Sequence, residues 1–174
     1  MPQIIITAVG ADRPGLVADL TKHVHEAGAS LADSRMVNLR GHFALLALVE
    51  GDDAQVAAAR RALEAGAKSI GLRLEIEAVA AAGARAPGTV PYRLKTYSVD
   101  QPGIVARITD VLRKHDVNVE ELETRVESAP FAGTPLFLLE AVVTLPKGGS
   151  VRKLRDDLSG LGDTMGCDVD IDPA

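Results

Sequence analysis

Apolar residues follow two rhythms along this chain, a period of two that marks strands and a spacing of three to four that marks helices. From Gln3 to Val9, and again from Tyr92 to Val99, β-branched and aromatic residues lead into a Pro-Gly pair, so both stretches read as strands. Beyond each pair the apolar positions take helical spacing: Leu16, Val17, Leu20 and Val24 first, then Ile104, Val105, Ile108 and Leu112. One face of each helix is expected to be buried. Leu31 to Leu39 and Phe43 to Glu50 read as a hairpin closing through Arg40-Gly41-His42, because glycine supplies the backbone freedom a tight turn needs. A second helix is expected from a cap at Asp52 or Asp53 to about Ser69, and its counterpart from a cap at Ser150, with Gly71 and Gly166 ending them. Leu72 to Ala78 and Cys167 to Asp172 alternate as closing strands, with one face covered.

The segment Asp12-Arg13-Pro14-Gly15-Leu16-Val17-Ala18 returns as Asp100-Gln101-Pro102-Gly103-Ile104-Val105-Ala106, displaced by 88 residues from 12 to 100. The pattern continues, with Leu20 matching Ile108, Val24 matching Leu112, and Ala29-Ser30-Leu31 matching Val117-Asn118-Val119. Self-similarity of this length indicates duplication. Two βαββαβ units are therefore expected, residues 1–80 and 91–174, joined by a small-residue linker at 81–90. In each, two helices would cover one face of a four-stranded antiparallel sheet, an α+β ferredoxin-like arrangement. Units of this size bury a modest share of their surface, so a homodimer or larger assembly is expected. If Phe137 matches Phe43 the offset grows to 94, which places six added residues between Ser128 and Pro135. Pro130 and Pro135 are expected to break a regular ladder there, and Phe131 to anchor on the other unit or a partner.

At 174 residues with 47% hydrophobic and 25% charged positions, the composition is that of a soluble globular protein. No apolar run approaches the roughly 20 residues needed to span a bilayer, and the N-terminus lacks signal-peptide features, so a cytoplasmic protein without membrane contact is expected. A net charge of −5 and a pI near 5.4 argue against direct binding to nucleic acid. With three Phe, two Tyr and no Trp, little surface remains for stacking bases. The single Cys167 excludes an intramolecular disulfide and a Cys-rich zinc site.

Little in the chain suggests catalysis. His23 and His25 stand two apart and would not face each other on a helix, so they read as solvated surface residues. No Gly-x-Ser-x-Gly elbow or phosphate-binding loop occurs, and the pairs Glu120-Glu121 and Asp156-Asp157 read as solvated faces. No enzyme, metal site or cofactor is expected. The Asp-x-Pro-Gly loops stand apart because they occur twice, each at the entry to a helix. Pro14 and Pro102 suit a first turn, where an N–H would have no partner. Gly15 and Gly103 let a ligand approach the backbone, and the free amides beside Leu16 and Ile104 attract a carboxylate. Asp12 or Asp100 could then hold an ammonium group. From the residues alone, the aspartates could equally serve only to sharpen the turn.

With Asp12-Arg13-Pro14-Gly15 and Asp100-Gln101-Pro102-Gly103 at their first loops, both copies resemble ACT domains, βαββαβ modules that bind amino acids. The tandem layout and the insert before Leu136-Phe137 most resemble the glycine cleavage system transcriptional repressor family. The resemblance implies a ligand near the first loop at an interface between domains, meeting a polar residue at the start of the second strand. Asn118 matches that place, and Ser30 stands there in the first copy. On this resemblance the ligand set is Asp100, Gln101, Pro102, Gly103, Ile104 and Asn118, with Asp12, Pro14, Gly15 and Leu16 forming a weaker first-copy pocket. It further implies a response to glycine through contact with a DNA-binding activator protein. A regulatory subunit of a biosynthetic enzyme is the alternative. Similar domains precede the catalytic domains of phosphoserine phosphatase and formyltetrahydrofolate deformylase, but no catalytic domain is evident here.

Overall fold

The computed structural model describes residues 1–79, 89–128 and 134–174. The chain divides into two compact units, Met1–Gly83 and Ala84–Ala174. The first contains β1 (Gln3–Ala11), α1 (Leu16–Glu26), β2 (Ser30–Leu39), β3 (His42–Glu50), α2 (Asp53–Gly66) and β4 (Leu72–Val79). The second contains β5 (Val90–Val99), α3 (Ile104–Lys114), β6 (Asn118–Ser128), β7 (Pro135–Leu145), α4 (Val151–Met165) and β8 (Cys167–Pro173). Strand orders are β2-β3-β1-β4 and β6-β7-β5-β8, with antiparallel neighbours throughout. These are two ferredoxin-like sheets in tandem.

Register makes the duplication quantitative. Gly10 pairs with Phe43 and Ser98 with Phe137, which keeps the offset at 88 on the first strand and raises it to 94 across the hairpin. Ile6 opposite Ile76 and Leu94 opposite Ile171 set it at 95 on the closing strands. The first hairpin turns on Arg40 and Gly41, both at positive φ, with His42 already in β3. At Pro135 the second departs from expectation, since the ladder runs as far as Ser128 opposite Pro135; Pro130 lies outside the described residues. Pro135 is the first residue of β7, so its missing N–H falls at the mouth of the hairpin, where proline is tolerated. Phe131 and residues 81–88 of the expected linker lie outside the described residues.

In the first unit, Leu16, Leu20 and Val24 of α1 and Val56, Ala59 and Leu63 of α2 pack on β1 and β3. Val17 is 43% exposed, because three positions at one helical spacing already fill the contact. In the second unit, Ile104, Ile108 and Leu112 of α3 and Leu154 and Leu158 of α4 play the same part. Asp52 caps α2 through a reciprocal pair with Gln55: its carboxylate accepts from the Gln55 N–H, and Gln55 accepts from the Asp52 N–H, both at 2.8 Å. Ser150 caps α4 by accepting from the Lys153 N–H at 3.3 Å. Helix α2 stops at Gly66, short of Ser69, and Gly71 at φ 79° serves the entry to β4 instead of a helix end.

One histidine is less solvated than expected. His23 is half-buried over Gly66, where only a hydrogen fits beneath the imidazole. At the end of α3, His115 is 2.8 Å from the Asp157 carboxylate of α4.

Candidate functional site

Both loops turn on a glycine in the left-handed region, Gly15 at φ 92° and Gly103 at φ 91°, where a side chain would be strained. Leu16 and Ile104 drop into the cores at 2% exposure, while Pro14 and Pro102 remain outside. Neither helix has a side-chain cap, so the first-turn N–H groups are not satisfied from the loop. The intrahelical ladder opens with the Asp19 N–H donating to the Gly15 carbonyl at 2.8 Å, and the Arg107 N–H to the Gly103 carbonyl at 3.0 Å.

The second residue of each loop is committed to the fold. Gln101 donates from Nε2 to the Met165 carbonyl at 2.7 Å, and Arg13 from Nη2 to the Ile70 carbonyl at 3.3 Å. Residues 70 and 165 correspond at the 95-residue offset, so both loops are tied to the same place, the approach to the closing strand. Arg13 also pairs with Asp19 at 2.8 Å.

The aspartates share a backbone role and differ in their side chains. The Asp12 N–H donates to the Gly41 carbonyl at 2.8 Å, and the Asp100 N–H to the Pro135 carbonyl at 3.0 Å, so each loop is pinned to the mouth of its hairpin. In the first unit the Asp12 carboxylate accepts from the Asn38 amide, whose oxygen accepts from the Gly41 N–H at 3.2 Å. Val126 occupies the place of Asn38 in the second unit, since Asn38 pairs with Phe43 and Val126 with Phe137. Pro135, standing for Gly41, has no N–H to donate. The exposed Asp100 carboxylate therefore has no such clamp.

Asn118 is not brought to the loop of its own unit. It pairs with Thr144, which lies opposite Pro91, whereas the loop follows Val99 at the other end of β5. Eight residues of strand separate those rows, roughly 26 Å at about 3.3 Å per residue. The Asn118 amide instead donates to Glu120 at 3.0 Å, which also accepts from the Thr144 hydroxyl at 2.8 Å. Ser30 stands equally far from Asp12, opposite Glu50 and Gln3.

An open cleft of about 620 Å³ lies at the first loop, bordered by Asp12, Arg13, Gly15, Leu16, Met36 and Phe43. Met36 and Asn38 were not singled out from sequence, and Gly41 only as the turn of the first hairpin. The antiparallel order was the available signal, because it sets the ends of β1 and β2 and the start of β3 together. Among the described residues no cluster of three or more His, Cys, Asp or Glu could hold a metal. No helix among them is long and apolar enough to cross a membrane.

Residues 2–77 match the ACT domain family. The first unit is an ACT domain. The glycine cleavage system transcriptional repressor of Escherichia coli strain K12 is 29% identical over 126 residues, 72% of this chain and 66% of that protein. A UPF0237 protein of Methanopyrus kandleri is 42% identical over 71 residues, 40% of this chain and 72% of its own length. The crystal structure of an unknown protein from Galdieria sulphuraria superposes with a TM-score of 0.82 at 29% identity, covering 99% of this chain and 98% of that one. The ACT fold of the first unit, repeated in the second, thus has a close structural counterpart along nearly the whole chain.

Proposed function

We propose that this ACT-domain protein is an amino-acid-responsive regulator, with glycine as its first candidate ligand, acting by contact with a DNA-binding activator protein. The observation that carries the reading is the pair of uncapped helix entries behind left-handed glycines, each flanked by an aspartate. Open amides at a helix N-terminus favour a carboxylate, and the aspartate beside them favours an ammonium group. An amino acid offers both. The name of the Escherichia coli relative points to glycine and transcription as the context, and a net charge of −5 favours an indirect route to DNA. The protein acts in the cytoplasm on this reading and performs no chemistry.

The favoured site is the second loop, with the ligand carboxylate at the Gly103 and Ile104 amides and its ammonium at Asp100, whose carboxylate no side-chain amide holds among the described residues. Asn118 takes no part within that unit, and Gln101 serves by holding the loop. The cleft at Asp12, Gly15 and Leu16 favours a second reading in which the first loop binds. Calorimetric titration with glycine and the other amino acids distinguishes them. Losing a charge-assisted hydrogen bond costs roughly 1.5 to 3 kcal/mol, so Asp100→Ala is expected to weaken binding about tenfold or more, and Asp12→Ala less. The reverse order moves the site to the first loop; wild-type affinity in both variants removes the aspartates from it. Recovery of a biosynthetic enzyme in place of a DNA-binding protein in a pull-down would favour an enzyme's regulatory subunit.

A further inference from the structure

Apolar side chains gather at the first loop for no reason that the core supplies. Leu16 and Phe43, both buried, line the cleft there, and Val17 and Met36 border it at 43% and 51% exposure. Val17 lies outside the buried stripe of α1. Met36 sits on the edge strand β2 in register with the buried Leu45, and so on the helix side of the sheet. Exposed apolar side chains that converge on a concave opening form a binding wall. The fold does not require this one, because Thr124 stands in the second unit where Met36 stands in the first: Met36 pairs with Leu45 and Thr124 with Leu139. The second unit's exposed Val126 takes the place of Asn38 instead, two residues nearer the hairpin mouth.

The polar groups around the cleft suit the two ends of an amino acid and leave its side chain to the wall. Arg13 is committed to Asp19 at 2.8 Å and to the Ile70 and Pro14 carbonyls at 3.3 and 3.2 Å. Asp12 accepts from the Asn38 amide, yet a carboxylate has about four acceptor positions, so an ammonium group can still bind it. Among the described residues no side chain caps the amides that follow Gly15. We propose that the first loop selects an amino acid with an apolar side chain, while the second takes glycine. The ligand carboxylate meets the Gly15 and Leu16 amides, its ammonium meets Asp12, and its side chain lies between Val17 and Met36. This rests on the reading that the loops bind amino acids, and adds what the first of them selects.

Calorimetric titration of the full chain with glycine, L-leucine and L-asparagine reads the selection, since leucine and asparagine are similar in size and differ in polarity. The cleft is open, so a leucine side chain is only partly buried in it, and leucine should bind about tenfold or more tighter than asparagine. Asp12→Ala should weaken leucine binding more than Asp100→Ala does, the reverse of the order for glycine. Met36→Thr copies the second unit at an exposed position, so circular dichroism should be unaltered. It should bring the leucine and asparagine affinities within about threefold of each other, a loss of selection that damage to the fold would not mimic. Glycine binding without any preference for leucine over asparagine would overturn this proposal and leave the amino-acid reading standing. Leucine affinity that follows Asp100, or a Met36→Thr variant as selective as wild type, would overturn it as well. Failure of all three ligands to bind would remove both.

Discussion

Replacing Asn38 by valine copies the second unit's Val126 into the first and removes one clamp without touching the loop itself. Two hydrogen bonds disappear: the amide's donation to the Asp12 carboxylate, and its acceptance from the Gly41 N–H at 3.2 Å. Both are exposed, which places them at the low end of the usual range, about 0.5 to 1 kcal/mol each. Valine's greater strand preference returns a few tenths of a kcal/mol. A net loss of about 1 kcal/mol corresponds to a fall of about 4 to 8 °C in the melting temperature of an 80-residue unit. Scanning calorimetry would read the loss, and hydrogen exchange at the Gly41 amide would localise it. The reciprocal Val126→Asn should recover less, because Pro135 offers no N–H and only the Asp100 bond can form. An unchanged melting temperature together with unchanged Gly41 exchange would refute the clamp.

Other consequences are as easily measured. Burial, followed by the Asp168 charge beside it, pushes the Cys167 thiol above its usual range; iodoacetamide should label it slowly in the native chain near pH 8 and readily once unfolded. A methyl group at Gly162 would fall 2.5 Å from the Cys167 carbonyl, so Gly162→Ala should destabilise by about 1 to 3 kcal/mol in urea titration, against the gain expected from helix preference alone. Among the described residues the buried Thr96 hydroxyl has no hydrogen-bond partner, and Thr96→Val should be neutral or stabilising by up to about 1 kcal/mol in the same assay.

The element order and both cores were readable because burial on one face imposes a period on the sequence. Leu16, Leu20 and Val24 show it, as do Ile104, Ile108 and Leu112. That Pro135 joins the second ladder was not readable, since a proline's effect depends on whether its missing N–H falls inside the ladder or at its mouth. Asp12 and Asp100 look equivalent along the chain. What separates them stands some 26 residues later, at Asn38 and Val126, and only strand register brings those positions to the loops. Asn118 shows the converse: it follows the first helix closely in sequence, but that helix has carried the chain back to the opposite end of the sheet.

The bonds from Arg13 to Ile70 and from Gln101 to Met165 make each loop the short arm of a lever. In both units the long arm begins where the second helix gives way to the edge strand, nearly sixty or more residues further along the chain. These bonds add to the strand pairing that already joins Gly10 to Leu72 and Ser98 to Cys167, and shortening Gln101 to alanine should loosen that junction, with faster amide exchange at Cys167 as its sign.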